Sequence, residues 1–323
     1  MPQRSTAALL LALTVLTAGS AQAQTYPTRQ IKIIVGFAPG GIVDQMARAY
    51  GDFITRVTGQ PTIVENLPGA AGTTSLGTLS RAVPDGYTIG VAISGNLAIS
   101  PFVQKNMPVD VLKNLTPIAS LVQSPLFIAV GPSVPAKTVQ EFIAFAKSKP
   151  GGVTYGSAGM GSLPHLSAAL FTHMAGLKAV HVPYRGASLA IADVTAGTLD
   201  MVSSAIGELR AGMDSGKLKV LLVASRKRAT HAPDVPTAAE IGLPNYEVTT
   251  WLGVVAPNGL PIAAQERLHS LANRMLDDPE TQKRLAAQNI SPSKMTQSQF
   301  AEFLRAEHAA WGRRTKELGI EPR

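Results

Sequence analysis

Two stretches rich in glycine and serine carry the residue types best suited to holding an anion. The first is Phe37-Ala38-Pro39-Gly40-Gly41 with Asp44 three residues on; the second is Ser157-Ala-Gly159-Met-Gly161-Ser162 with His165 three residues on. Glycine lets the backbone approach a ligand closely, and the first turn of a helix has unpaired N–H groups and a positive dipole end. Both stretches sit where a short β-branched or aromatic strand pattern gives way to a helical one, so both predict an anion cradle at a helix start. Two cradles in two halves of one chain predict a cleft between them.

Other chemistries fit the same residues less well. Residues 156–162 have the glycine spacing of a nucleotide-binding loop, but Leu163 follows Ser162 and the required lysine is missing. No serine is centred in a G-x-S-x-G elbow, and no H-E-x-x-H occurs. His165, His173 and His181 are evenly spaced, yet on a helix the first two would lie roughly 80° apart, an awkward angle for chelation. His165, near a helix start, reads as a ligand or capping contact, and the other two as surface or core. Asp44, in a first helical turn, reads as a dipole-stabilising or capping group before an acid catalyst. Tyr184 and Arg185, just before Gly186, suit either a carboxylate contact or a structural turn. A serine hydrolase using Ser157 or Ser162 with His165 is a weaker alternative, because no acidic third member is suggested beside that histidine. No enzyme activity, cofactor or metal is expected.

The elements that must position these residues follow from periodicity. Residues 31–35 are a strand of the kind covered on both faces, and Val43, Met46, Ala47, Tyr50, Phe53, Ile54 and Val57 mark a helix stopped by Gly59. Strands at 61–66 and 88–93, with a helix through Leu76 and Leu79 between them, complete a parallel β/α unit. Ligands in such sheets bind beyond the carboxyl ends of the strands, which places residues 38–41, Gly72 and Ser94-Gly95 at the site. Residues 126–130, 153–157, 179–183, 200–204 and 219–224 repeat the pattern, with Ser162 as a helix N-cap and Gly176 as its stop. Residues 248–256 form a long extended stretch returning from the second domain to the first. The expected organisation is therefore domain 1 from 24–123 and 254–323 and domain 2 from 124–253, hinged near Ser124 and Gly253. The apolar stripe of Phe300, Phe303, Leu304, Trp311 and Leu318 reads as packing.

Composition narrows the functional classes. The first residues carry Arg4, an uncharged apolar run from 7 to 18, and Ala21-Gln22-Ala23, the pattern of a secretory signal peptide removed near Ala23. A periplasmic protein is expected. The 323 residues include no cysteine, which excludes disulfides, thiolate metal sites and cysteine nucleophiles. The net charge of +8 is spread out and aromatic content is 5%, which argues against nucleic acid.

The motifs Phe37-Ala-Pro-Gly-Gly-Ile-Val-Asp-Gln-Met-Ala-Arg48, Val64-Glu-Asn-Leu-Pro-Gly69, Pro84-Asp-Gly-Tyr-Thr88, Tyr155-Gly-Ser-Ala-Gly-Met-Gly-Ser162, His181-Val-Pro-Tyr-Arg-Gly186 and Pro233-Asp-Val-Pro-Thr237 occur in order across the chain. Together they resemble the Bug family, the periplasmic solute receptors of tripartite tricarboxylate transporters. The resemblance implies a periplasmic-binding-protein type II fold: two β/α domains joined by two crossover strands around a cleft. It implies capture of a small carboxylated solute (a di- or tricarboxylate, acidic amino acid or aromatic acid) for delivery to an inner-membrane permease, or else a sensor docking on a membrane receptor. It also implies that Ser157, Gly159, Gly161 and Ser162 hold one carboxylate with His165 close by, and that residues 38–41 with Asp44 reach the other end through waters. Val43 stands where members often carry a hydroxyl, which favours an aromatic or amphipathic acid. A monomer is expected.

Overall fold

The computed structural model describes residues 26–322, so the expected signal peptide lies outside the described residues. β1 (Ile31–Val35) pairs in parallel with β2 (Thr62–Asn66) on one side and β3 (Thr88–Ile93) on the other. Its residues Ile31, Ile33, Ile34 and Val35 are all buried, as a strand covered on both faces requires. α1 (Ile42–Thr58) packs over this sheet and ends at Gly59, whose φ of 72° is the left-handed cap the sequence predicts. α2 (Thr73–Ser80) crosses from β2 towards β3.

The centre of the molecule is β4 (Leu115–Val130), a single 16-residue strand. Its first part, to Pro125, pairs antiparallel with β9 (Thr249–Pro257), which in turn pairs with β3. Its last part, from Leu126, pairs with β7 (Met201–Ala205) and β8 (Lys219–Val223). β5 (Val153–Ser157) and β6 (Ala179–Pro183) extend this second sheet in parallel, and β10 (Ser291–Pro292) pairs β4 on the first side. Sequence periodicity found only the second part of β4. Pro117 and Pro125 interrupt the first part, and the strand accommodates the Pro117 region with register shifts between Pro117 and Ala119 and between Ser120 and Val122.

Both crossings lie at one level. Leu126 N–H donates to the Val248 carbonyl at 3.0 Å and Val248 N–H to the Ala224 carbonyl at 2.9 Å, while Thr249 already faces Pro125 in the first sheet. Residues 249–257, which include Gly253, pair wholly within the first sheet.

The second half is layered by α3 (Val139–Ser148), α4 (Leu163–Met174), α5 (Ala187–Thr195) and α6 (Ile206–Asp214). α7 (Ile262–Asp277) and α8 (Pro279–Ala287) return to the first half, where the Tyr50 hydroxyl donates to the Leu268 carbonyl at 2.7 Å. α9 (Gln297–Glu317) opens on the capping box expected at Thr296 and Gln299 and lays Phe300, Leu304 and Trp311 into the core. The Trp251 ring of β9 packs edge-on against Phe300 and Phe303, and its indole N–H donates to Glu307 at 3.1 Å. No helix among the described residues is long and apolar enough to cross a membrane.

At Gly253 the strand passes so close to α9 that a Cβ would meet the Phe300 ring at 2.3 Å and the Ala119 carbonyl at 3.0 Å. Gly253→Ala is expected to cost about 1–3 kcal/mol through overpacking, read as a lower urea midpoint at unchanged slope.

Candidate functional site

The second glycine-serine turn lies at the carboxyl end of β5 and leads into α4. Ser162 is the N-cap of α4, its hydroxyl accepting from His165 N–H at 3.4 Å, and Pro164 occupies the first turn. Gly159 and Gly161 have φ of +117° and +76°, the left-handed region that a side chain resists. Every donor named in this loop has a partner inside the fold. The Ser162 hydroxyl donates to the Gly159 carbonyl at 2.7 Å, Gly159 N–H donates to Ser157 Oγ at 3.2 Å, and Gly161 N–H donates to His165 Nδ1 at 3.0 Å.

Behind the loop stands a stack that the sequence hides. The His165 and His181 rings lie 4.0 Å apart at 21°, and Tyr155 continues the stack 5.0 Å from His181. His181 Nε2 meets Ser157 Oγ at 2.7 Å, so His181 belongs to the site, whereas His173 is exposed. Parallel pairing of β5 and β6 sets Tyr155 opposite His181, and only that register brings the two histidines together. Burial, with His181 adding to it, pushes His165 down to about 4, and burial also lowers His181. Burial raises Tyr155 to about 12. At neutral pH both imidazoles are therefore uncharged, and His165, accepting at Nδ1, carries its proton on Nε2.

Ser157 beside His181 is not equipped for nucleophilic catalysis. Ser157 is 1% exposed, and among the described residues His181 Nδ1 is buried with no partner, so no carboxylate of theirs orients the ring or stabilises its charged form.

In the first half, Asp44 is 2% exposed and turned inwards. Its carboxylate accepts from Gly40 N–H at 2.9 Å, from Arg48 at 2.9 and 3.0 Å and from the Asn66 amide at 2.9 Å. The Arg48 hydrogen bonds hold its carboxyl down to about 2 against the opposing effect of burial. Asp44 thus shapes residues 38–41, whose Gly40 turns at φ +91°. Phe37 closes over Gly72, where a Cβ would meet the ring at 2.8 Å and the Asn96 amide at 2.9 Å. Ser94, 1% exposed, keeps an unpaired hydroxyl at the end of β3, and Gly95–Ile99 continues as a π-helical turn, a form that recurs at functional sites. The Tyr184 hydroxyl donates to Asp193 within its own half, and Gly186 precedes α5.

The halves face each other at the second cradle, where a Cβ on Gly161 would meet Val103 at 3.5 Å. Recesses lie on either side of Ala158. One, of about 670 Å³, brings Gly161, Ser162 and His165 to Val103, Gln104 and the segment around Glu321. The other, of about 620 Å³ on the hinge side, is walled by Ile42, Ile93, Leu126 and Leu252, with Glu208 and Arg210. The last two were missed by sequence reading, although they follow β7 as cradle residues follow the other strands.

Two β/α halves joined by two crossing strands, with a glycine-serine turn where they meet, have the architecture of a solute-binding protein of the periplasmic-binding type. The sequence profile described as Tripartite tricarboxylate transporter family receptor matches residues 46–320, and the chain belongs to that family, whose members are periplasmic. The protein BugT of Bordetella pertussis is 32% identical over 319 residues, 97% of both chains. Among solved structures, Rpa4515 of R. palustris with adipate has a TM-score of 0.79 at 28% identity, covering 92% of this chain and 100% of its own. MatC (Rpa3494) from Rhodopseudomonas palustris with bound malate has a TM-score of 0.74 at 28% identity, covering 90% and 99%.

The buried imidazoles have a measurable consequence for the solute-free protein. With His165 at about 4 when folded against the usual 6.5, the unfolded chain binds more protons between those values, so stability present above pH 6.5 is lost as pH falls towards 4. The midpoint of thermal unfolding is expected to drop by several degrees across that window, and His165→Gln to remove part of the drop, read by calorimetry in buffers of matched ionic strength.

Proposed function

We propose that the protein captures a small carboxylated solute between its lobes and delivers it to an inner-membrane permease of the tripartite tricarboxylate type. One observation carries the reading: residues 157–162 turn at the N-terminus of a 12-residue helix, in a cleft, with two hydroxyls and glycine N–H groups at the place where the helix dipole favours negative charge. In the solute-free form these donors satisfy one another, and a carboxylate replaces those internal partners with charge-assisted hydrogen bonds. Ser157, Gly159, Gly161, Ser162 and His165 hold this end. Residues 37–41, shaped by Asp44, with Gly72, the Ser94 hydroxyl and Gly95, meet the other end, and Tyr184 and Gly186 border the second cradle. The adipate and malate complexes of the neighbours support a carboxylate of this size. The apolar wall of the hinge-side recess supports one with a hydrocarbon or aromatic body. The lobes that close are 24–123 with the C-terminal part, and the segment between the two crossings.

A thermal-shift screen of the protein lacking its first 23 residues, against adipate, malate, acidic amino acids, nicotinate and benzoate, tests the assignment. One class is expected to raise the unfolding temperature by mass action. Ser162→Ala is expected to weaken binding of that class about tenfold, the loss of one charge-assisted bond. No shift with any class, from protein shown empty by native mass spectrometry, would sink it.

A further inference from the structure

We propose that His165 couples capture of the solute carboxylate to uptake of one proton, so that the protein binds the carboxylate and a proton together. The inference rests on the carboxylate reading of the second cradle. Gly161 N–H, one of the donors a carboxylate needs, is held by His165 Nδ1 at 3.0 Å, and His165 is 5% exposed with its ring in the wall of the cleft. Nδ1 cannot accept once it is protonated. A proton arriving from water at Nδ1 therefore breaks the Gly161 N–H···Nδ1 bond, frees that N–H for the carboxylate, and turns a neutral acceptor into a cationic donor facing the same oxygens.

Three features keep that proton off in the solute-free state. His165 lies in the first turn of α4, where the dipole repels positive charge. His181 stacks on it at 4.0 Å from β6, with Tyr155 of β5 stacked on His181, and burial strips both imidazoles of water. On α4 itself no residue from Leu163 to Thr172 is charged, apart from His165 as the titrating group. Across the recess Gln104 is neutral, and among the described residues Glu321 of the C-terminal segment is the one carboxylate lining the same space. A solute carboxylate offsets these penalties: it occupies the positive end of the dipole and pairs with the imidazolium. Linkage is reciprocal, so what the anion does for the proton, the proton does for the anion.

Between the free and bound values of His165, affinity rises up to tenfold for each unit of pH lowered, and above both it is flat. Titration calorimetry with adipate and with malate, in pairs of buffers of different ionisation heat between about pH 6 and 8, counts the protons. Uptake of more than about half a proton per solute near pH 6, falling towards zero near pH 8, is expected for the native chain. His165→Gln keeps an acceptor for Gly161 but cannot be protonated, and is expected to show no uptake and a pH-independent affinity. Binding without uptake, or the same uptake in His165→Gln, overturns the proposal. In the solute-free protein, the Gly161 amide resonance is expected to shift with the protonation of His165; an amide that ignores that titration overturns it as well. If neither probe binds at any pH while Gly161 follows His165, the proton switch stands and the carboxylate assignment is what fails.

Discussion

Everything in this molecule depends on one strand belonging to two sheets. β4 pairs with β9 as far as Pro125 and with β7 and β8 from Leu126 onwards, so the lobes share a continuous backbone hydrogen-bond ladder at their junction. Strands in such a ladder twist relative to their neighbours, so the two halves are joined without a break in backbone pairing. The second crossing, where Val248 bonds to Leu126 and Ala224 and Thr249 bonds in the first sheet, lies beside the first. Trp251, clamped by Phe300, Phe303 and Glu307, fixes the return strand just beyond that crossing.

The same economy governs polar groups. Backbone donors are costly when buried and bare, so the fold gives those of the two glycine turns internal acceptors. Gly159 N–H has Ser157, Gly161 N–H has His165, and Gly40 N–H has Asp44. These acceptors differ in strength. The Asp44 carboxylate is itself fixed by Arg48 and Asn66, and its bond to Gly40 holds the loop in shape. The neutral imidazole of His165 is a weaker partner. The two glycine turns, similar in composition, thus differ in kind: one is held by a carboxylate and one by an uncharged ring.

The parallel β/α units, the two cradles and the helix caps were legible because each rests on local chemistry: β-branched runs, glycine at left-handed positions, and Ser162 and Thr296 at helix starts. The long strand was half hidden, since Pro117 and Pro125 read locally as breaks and only pairing with β9 shows them to be tolerated. His181 was set aside for a related reason. Its partnership with Ser157 and His165 arises from the register of β6 against β5, a relation between residues 24 and 16 positions apart that no helical or strand period encodes. Asp44 was recognised as a first-turn carboxylate, but its grip on Gly40 needed coordinates.

The path of the chain through β9 also bears on the order in which the protein assembles. In the first sheet β9 lies between β3 and β4, yet it follows them by more than a hundred residues of second-lobe sequence. Until residues 249–257 are present, β3 and β4 have no common neighbour, and each presents bare backbone donors and acceptors along one side. The amino-terminal lobe therefore cannot finish its own sheet as it is synthesised. Its closure waits for contacts of very long sequence separation, which folding theory associates with slow acquisition of structure.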